Sequence, residues 1–197
     1  MARQTRLKKV CSIFIIGIMV FSMLVPVMAA DLPESDTMKT LFAVTGEASV
    51  VSSINNSGEV AGAVTFPNGY YNAIMWKDGE TKNLGTLGGN YSKASGINDN
   101  GQIVGYSSLS QIDDDSVTHP FLWENGVMKD LGSFGGDFST ASDINIKGQI
   151  VGVSSISEGS SHAFIWENDF MKDLGKLGGS YSEASGINDN GQVVGSY

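Results

Sequence analysis

An internal repeat constrains the fold of this chain more than any other feature of its sequence. Each complete copy carries a tryptophan, a Gly-Gly pair, and an isoleucine that precedes an Asn-containing turn. The Trp and the Ile of a complete copy are always 21 residues apart, at Trp76 and Ile97, Trp123 and Ile144, and Trp166 and Ile187. A fixed period of about 20 to 50 residues is typical of propellers, solenoids and related repeat architectures.

The repeat divides the chain into one worn copy and three complete copies, at residues 38–71, 72–118, 119–161 and 162–197. From an Ile to the next Trp the interval is 22 residues, except between Ile97 and Trp123, where it is 26. Because copies of one repeat share a scaffold, the additional residues in segment 107–119 predict a surface loop that tolerates changes in length.

Each complete copy contains four short segments with strand-like patterns, and the worn copy contains three. The Gly-Gly pairs and the high glycine content interrupt helical periodicity. Four strands in about 40 to 45 residues match one propeller blade. A twisted β-solenoid would satisfy the same repeat, but solenoid coils are usually shorter. We therefore predict an all-β fold of propeller-like repeats with about four short strands each. The chain has one strand-like segment fewer than four complete blades need, so we expect an incomplete ring.

The turn that follows each Ile has a clear local signature. Asn100-Gly101 and Asn190-Gly191 stand between strand-like runs, and such pairs favour two-residue hairpin turns with positive φ at both central residues. The same segments resemble calcium loops, but they lack the bidentate Glu of those loops. The middle copy also has Ile146-Lys147 at the supposed ligand positions. We interpret these segments as turns.

The first thirty residues predict a secretory signal peptide. Four cationic residues precede an apolar stretch at residues 10–25, and small residues follow near Ala30. The apolar stretch is shorter than the ~20 residues that a spanning helix needs, so we expect cleavage and no membrane insertion afterwards. A short polar segment, residues 31–37, then leads into the repeats. These features predict a secreted or cell-surface protein.

The net charge of the chain limits the classes of partner that it can bind. The signal contains four of the twelve Lys and Arg residues and no acid, so the remaining chain has eight cations against 21 acids, a formal charge of −13. Such a surface repels phosphate backbones and anionic lipids, which disfavours binding to nucleic acids and membrane surfaces. The single cysteine, Cys11, lies in the signal, so the processed chain has no thiol or disulfide.

The repeat residues resemble the HAF family of extracellular repeats. In the last copy the resemblance rests on His162-Ala163-Phe164 with Trp166, on Asp173-Leu174-Gly175, and on the run from Ile187 to Gly195. It covers about residues 38–197, although Pro120 replaces the Ala in the middle copy and Asn72 replaces the His in the first. The resemblance implies a secreted or cell-surface repeat similar to a β-propeller, in a family without an assigned activity.

Several recurring residues are of types that bind ligands or metals or catalyse reactions, but a structural role explains each of them. The three tryptophans predict a core position, with a sugar-stacking platform as the alternative. His119 and His162 are equivalent, but Asn72 replaces them in the first copy, so we expect polar capping of a strand and not a metal site. The motifs at Gly105 and Gly152 lack the second glycine of a nucleophile elbow.

Ligand binding is expected where the copies differ. Tyr70 and Tyr71, in segment 67–72, add two aromatic faces, and Asp113, Asp114 and Asp115, in the lengthened loop, add an anionic patch. Calcium is therefore the only candidate cofactor, and a glycan, a cation or a protein surface is the expected partner. We take the Gly-Gly segments, such as Gly135-Gly136, to lie on the opposite face.

The sequence thus predicts a module for binding or surface structure, with no catalysis evident. The alternative is a carbohydrate-active propeller enzyme, a glycosidase or lyase with acids on loops at one end. Against it, Asp130 and Asp173 recur with the repeat, and the repeat symmetry breaks only at residues 107–119. Unpaired strand edges also predict self-association or a longer repeat partner.

Overall fold

A computed structural model describes residues 48–109, 117–156, 159–176, 178–179 and 181–197. Every regular element in these residues is a β-strand, which confirms the all-β prediction. The signal peptide, segment 31–37, the start of the worn copy and the three adjacent aspartates lie outside the described residues. The strands are β1 (Ala48–Ile54), β2 (Val60–Thr65), β3 (Tyr71–Lys77), β4 (Glu80–Gly85), β5 (Ser92–Ile97), β6 (Ile103–Ser108), β7 (Thr118–Glu124), β8 (Val127–Asp130), β9 (Gly135–Ile144), β10 (Ile150–Ile156), β11 (Ser161–Glu167), β12 (Phe170–Gly175), β13 (Glu183–Ile187) and β14 (Val193–Ser196).

Consecutive strands pair antiparallel in groups of four. β1 to β4 form the first sheet, β5 to β8 the second, β9 to β12 the third, and β13 with β14 a terminal hairpin. A single parallel bridge between Thr118 and Phe138 connects the second sheet to the third. Each sequence copy therefore supplies the last two strands of one sheet and the first two of the next.

Two kinds of turn connect the strands. The β3–β4, β7–β8 and β11–β12 turns have positive φ at both central residues, the geometry of a two-residue hairpin, at Asp78-Gly79, Asn125-Gly126 and Asn168-Asp169. The β5–β6 and β13–β14 turns differ from our prediction, because only the glycine has positive φ, as at Gly101 and Gly191. The Gly101 N–H donates to the Asn98 carbonyl, which closes a longer turn that ends in a left-handed glycine.

The second strand of each sheet passes very close to the first, and this requires a glycine. A Cβ added at Gly105 would lie 1.9 Å from the Lys93 carbonyl oxygen, and one at Gly152 would lie 2.0 Å from that of Thr140. Both glycines lie next to a register shift in their sheet. The recurring glycine after the Ile-Val pair thus permits an irregular pairing that a side chain would block.

Apolar side chains fill three layers, one between each pair of successive sheets and one between the third sheet and the hairpin. Trp123 and Trp166 are buried in the first two layers, with Phe121 and Phe164 beside them. The ammonium groups of Lys82 and Lys129, from the preceding sheets, lie 4.7 and 5.0 Å from the centres of these indole rings. The prediction that these tryptophans form the core is confirmed. Trp76, in the first sheet, is only half-buried.

Candidate functional site

The antiparallel order of the strands separates the connections into two ends. The loop end carries the β2–β3 and β4–β5 connections and their equivalents, and the turn end carries the β1–β2 and β3–β4 turns. The Gly-Gly segments belong to the loop end, since Gly89 donates its N–H to the Ser108 carbonyl at 3.1 Å. Our expectation that they lie opposite the variable loops is wrong. One end therefore carries all the connections that vary in length.

Three tyrosine rings pack together at the loop end of the first two sheets, and a fourth tyrosine, Tyr70, is adjacent to one of them in sequence. The rings of Tyr71 and Tyr91 stack with centroids 5.1 Å apart, and Tyr106 meets Tyr91 edge to face at 6.4 Å. Tyr70 precedes β3 and is 44% exposed. Its loop is closed by hydrogen bonds from Phe66 N–H to the Tyr70 carbonyl and from Tyr70 N–H to the Asn68 side chain. We call these four residues the tyrosine cluster.

The three inner rings of the tyrosine cluster are held in place by their packing. Tyr71, Tyr91 and Tyr106 are half-buried. Burial and a hydrogen bond with Tyr106 raise the pKa of Tyr71 above its ordinary value. A neutral, packed ring keeps both an apolar face and a hydroxyl group in a fixed orientation.

The tyrosine cluster is specific to the first two sheets. Position 71 corresponds to Thr118 and Ser161 in the later copies, and position 106 corresponds to Val153. Only Tyr91 follows the repeat, where its equivalents are Phe138 and Tyr181. Our statement that the symmetry breaks only at residues 107–119 is therefore wrong. Comparison of the copies at positions 71 and 106 could have revealed the cluster.

The predicted anionic patch is not part of the described site. Asp113, Asp114 and Asp115 lie outside the described residues, which resume at Val117, whose carbonyl accepts a hydrogen bond from Leu109. The described part of the chain contains no group of three or more His, Cys, Asp or Glu side chains that could hold a metal ion. Calcium binding at the three aspartates stays a prediction.

Each recurring histidine pairs with an aspartate eleven residues later. His119 Nδ1 lies 2.9 Å from Asp130, and His162 Nδ1 lies 2.7 Å from Asp173. In the first sheet, Asn72 donates to Asn83 at 3.2 Å instead. These aspartates also accept N–H groups two residues later, from Gly132 and Gly175. The histidines thus help to position the last strand of the second and of the third sheet, and the sequence reasoning missed their partners.

The serines that precede the loops have structural partners too. Ser107 Oγ accepts a hydrogen bond from Leu87 N–H at 2.8 Å, and Ser154 Oγ accepts one from Phe134 N–H at 2.9 Å. Each hydroxyl thus secures the linker that enters its own sheet. Although these serines pair in register with His119 and His162, the repetition of the contacts favours a structural role over a nucleophilic one.

The His–Asp pairs predict acid sensitivity. Burial tends to raise the pKa of Asp130 and Asp173, but hydrogen bonds from the histidines and the glycine N–H groups outweigh it, so both pKa values lie below the ordinary range. A folded-state pKa below the unfolded one stabilises the protein above about pH 4, and this contribution is lost as pH falls through the folded value. We expect the urea midpoint of the wild type to fall between pH 5 and pH 2.

A matched variant isolates the carboxylates in that measurement. Replacing both Asp130 and Asp173 by Asn places at these positions the amide that Asn83 has in the first sheet, and this amide does not titrate. The double variant should have a lower midpoint at pH 6 and a shallower decline on acidification. An equal decline in both proteins would show that other carboxylates control the acid response.

At the turn end, an asparagine ladder links the sheets. Asn55, Asn98 and Asn145 each donate from Nδ2 to the main-chain carbonyl of the next turn asparagine, at 2.9 to 3.0 Å, and the last acceptor is Asn188. Each Oδ1 accepts two N–H groups of its own turn, as Asn98 does from Asn100 and Gln102. This geometry recurs in the three turns and uses the full hydrogen-bonding capacity of the asparagine amide.

The ladder borders a polar groove of about 180 Å³ that is lined by the turns of all three sheets and the hairpin. Its two carboxylates already accept hydrogen bonds from the chain, since Asp99 binds the N–H and the amide of Asn56 and Asp189 binds the N–H of Ile146. These contacts support our interpretation of the segments as turns.

Searches against protein-family models, curated proteins and solved structures gave no match to this chain. Among the described residues, no helix is long and apolar enough to cross a membrane.

Proposed function

We propose that this chain is a non-catalytic, extracellular binding module that recognises a surface glycan through the tyrosine cluster at its loop end. The sheets follow one another as propeller blades would, each packed on the next and each beginning with an inner strand. The signal-like leader and the resemblance to extracellular HAF repeats support export. This proposal keeps the sequence-based prediction of a binding module and adds a specific contact surface.

One observation carries the proposal, namely the packing of three tyrosine rings, with the exposed Tyr70 next to them in sequence, at a place where the described repeats differ. A repeat scaffold that needs only stability keeps its positions alike, and differences at loop ends are typical of binding surfaces. Tyrosine presents a rigid apolar face and a hydroxyl group at low entropic cost. A sugar ring also has an apolar face and hydroxyl groups, so the two surfaces are complementary.

The arrangement does not favour the alternative of a glycan-cleaving enzyme. Such enzymes place two carboxyl groups across the scissile bond, and typical separations are about 5 to 10 Å. In the described residues, Asp130 and Asp173 are instead engaged by histidine and glycine within their own sheets. Their repetition and their partners match a scaffold role.

The test is a binding measurement on a panel of surface polysaccharides with wild type and Tyr70→Ala. Tyr70 is exposed, so its loss should leave thermal melting unchanged. We expect roughly two- to tenfold weaker binding, because an aromatic contact contributes about 0.5 to 1.5 kcal/mol beyond the area that it buries.

Tyr181 is the matched control, since it is 43% exposed but lies outside the tyrosine cluster. Tyr181→Ala should bind like the wild type. Equal losses in the two variants would reject the cluster as the contact surface, and release of reducing ends from any polysaccharide in the panel would favour the enzyme alternative.

A further inference from the structure

A lysine borders the tyrosine cluster. Lys93 is half-buried in β5 and pairs in register with Tyr106 of β6. Residues directly opposite each other in an antiparallel pair point to the same face, with their Cβ atoms about 4.5 to 5.5 Å apart. Tyr106 in turn contacts the ring of Tyr91 and shares a hydrogen bond with Tyr71. Lys93 is therefore an immediate neighbour of the cluster in space.

Lys93 has no ion-pair partner in the described part of the chain. Other lysines of the molecule do pair with acids, as Lys77 does with Glu59 and Lys129 does with Asp169. Acidic residues are also plentiful, since the chain contains 21 of them. Partial burial removes some of the water that solvates an ammonium group, so an anionic partner becomes more favourable there. A ligand with a negative charge would supply the partner that the described residues do not.

The repeat does not require a cation at this position. The equivalent register pair in the third sheet is Thr140 with Val153, and the terminal hairpin has an acid, Glu183, in place of the lysine. Lys93 and Tyr106 thus depart from the repeat together. Because the same scaffold folds with Thr or Glu at the lysine position, packing alone does not explain the lysine. Departures that adjoin a candidate binding surface are typical of residues that contact a ligand.

We propose that the glycan at the tyrosine cluster is acidic, and that Lys93 binds a carboxylate group of its sugar units. This inference rests on the proposed function, because it names the kind of glycan that the same site takes. An ammonium group donates up to three hydrogen bonds, and those to a carboxylate are shorter and stronger than bonds between neutral groups. The tyrosine rings then contact the apolar face of the sugar, and Lys93 selects for its charge.

The negative charge of the whole chain opposes this contact only weakly. Charges in solvent are largely screened beyond about 8 Å at physiological ionic strength. A carboxylate bound by Lys93 is in direct contact with the ammonium group, where screening is weakest. Acids elsewhere on the surface therefore slow the approach of an anionic glycan, whereas the lysine determines whether a carboxylate is preferred to a neutral group.

Binding of polygalacturonate and of its methyl ester tests the inference, because the two polymers have the same sugar rings and differ in charge. We expect the wild type to bind polygalacturonate roughly tenfold more tightly than the ester, the gain that a hydrogen bond to a charged group gives. Lys93→Thr introduces the residue that the third sheet has at this position, so folding should be retained. This variant should bind polygalacturonate as weakly as the ester, with its affinity for the ester unchanged.

Two further variants control for charge. Lys93→Arg keeps the charge and should keep the preference, whereas Lys147→Thr removes an exposed charge at the turn end and should behave like the wild type. A wild type that binds both polymers equally, or neither, would overturn the inference, and so would a preference that survives in Lys93→Thr. Tyr70→Ala separates this failure from failure of the proposed function, because loss of the exposed ring should weaken binding of both polymers whatever their charge.

Discussion

Replacing Trp123 or Trp166 by Ala should lower the free energy of unfolding by about 3 to 5 kcal/mol, the usual cost of emptying an aromatic core position. Both indole rings are buried between two sheets, where each is also covered by a lysine of the preceding sheet. Because domains are typically stable by only about 5 to 15 kcal/mol, one such substitution removes a large part of the total. Urea unfolding followed by circular dichroism measures the change.

Trp76 supplies the internal control for this experiment. It occupies the same repeat position, but it is only half-buried. Trp76→Ala should therefore cost clearly less than either of the other substitutions. Three equal losses would indicate that the tryptophans contribute through strand pairing and not through burial between sheets, and our account of the core would then be wrong.

The repeat carried most of the information about the fold. The constant spacing from Trp to Ile places each indole and each of these isoleucines in register, and the structure buries Trp123, as predicted, and also Ile144. The turns were harder to interpret. Asp78-Gly79 and Asn125-Gly126 carry the sequence signal of a two-residue hairpin, which we assigned to Asn100-Gly101 instead. There the preceding Asn98 side chain accepts main-chain N–H groups and favours a longer turn.

The candidate site could be predicted only in part, because packing between sheets creates it. Tyr70 and Tyr71 stand out in the sequence, since they occupy a variable segment. Tyr91 and Tyr106 are distant in sequence and reach Tyr71 only when the second sheet packs on the first. The His–Asp pairs had a usable signal, because Asn replaces both His and Asp together in the first copy, at Asn72 and Asn83.

Replacing Asn145 by Ala should cost about 2 to 4 kcal/mol, the second largest loss that we expect. Its amide donates to Gln149 and to the Asn188 carbonyl, and its Oδ1 accepts the N–H groups of Lys147 and Gln149. Asn145 is buried, so the substitution removes the partner of the Lys147 and Gln149 N–H groups, whereas the Asn188 carbonyl keeps only its bond from the Gly191 N–H. Each lost hydrogen bond contributes about 0.5 to 1.5 kcal/mol, and an unsatisfied buried group adds to the cost. Chemical denaturation measures the loss.

Asn188 separates the two parts of that cost. It makes the same contacts within its own turn, to Asn190 and Gln192, but it is exposed and donates to no following sheet. Asn188→Ala should therefore cost only about 1 to 2 kcal/mol in the monomer, and the difference from Asn145→Ala measures the bond between sheets together with its burial. The partner of the asparagine amide is a charged Glu in the first sheet and a neutral Gln in the third. Glu59 accepts hydrogen bonds from Asn55 and Lys77, whereas Gln149 accepts one from Asn145 and donates one to Glu167. In both sheets the asparagine amide therefore has an acceptor within its own turn. If Asn145→Ala and Asn188→Ala proved equally costly, the asparagine would act through its own turn alone, and the ladder would not hold the sheets together.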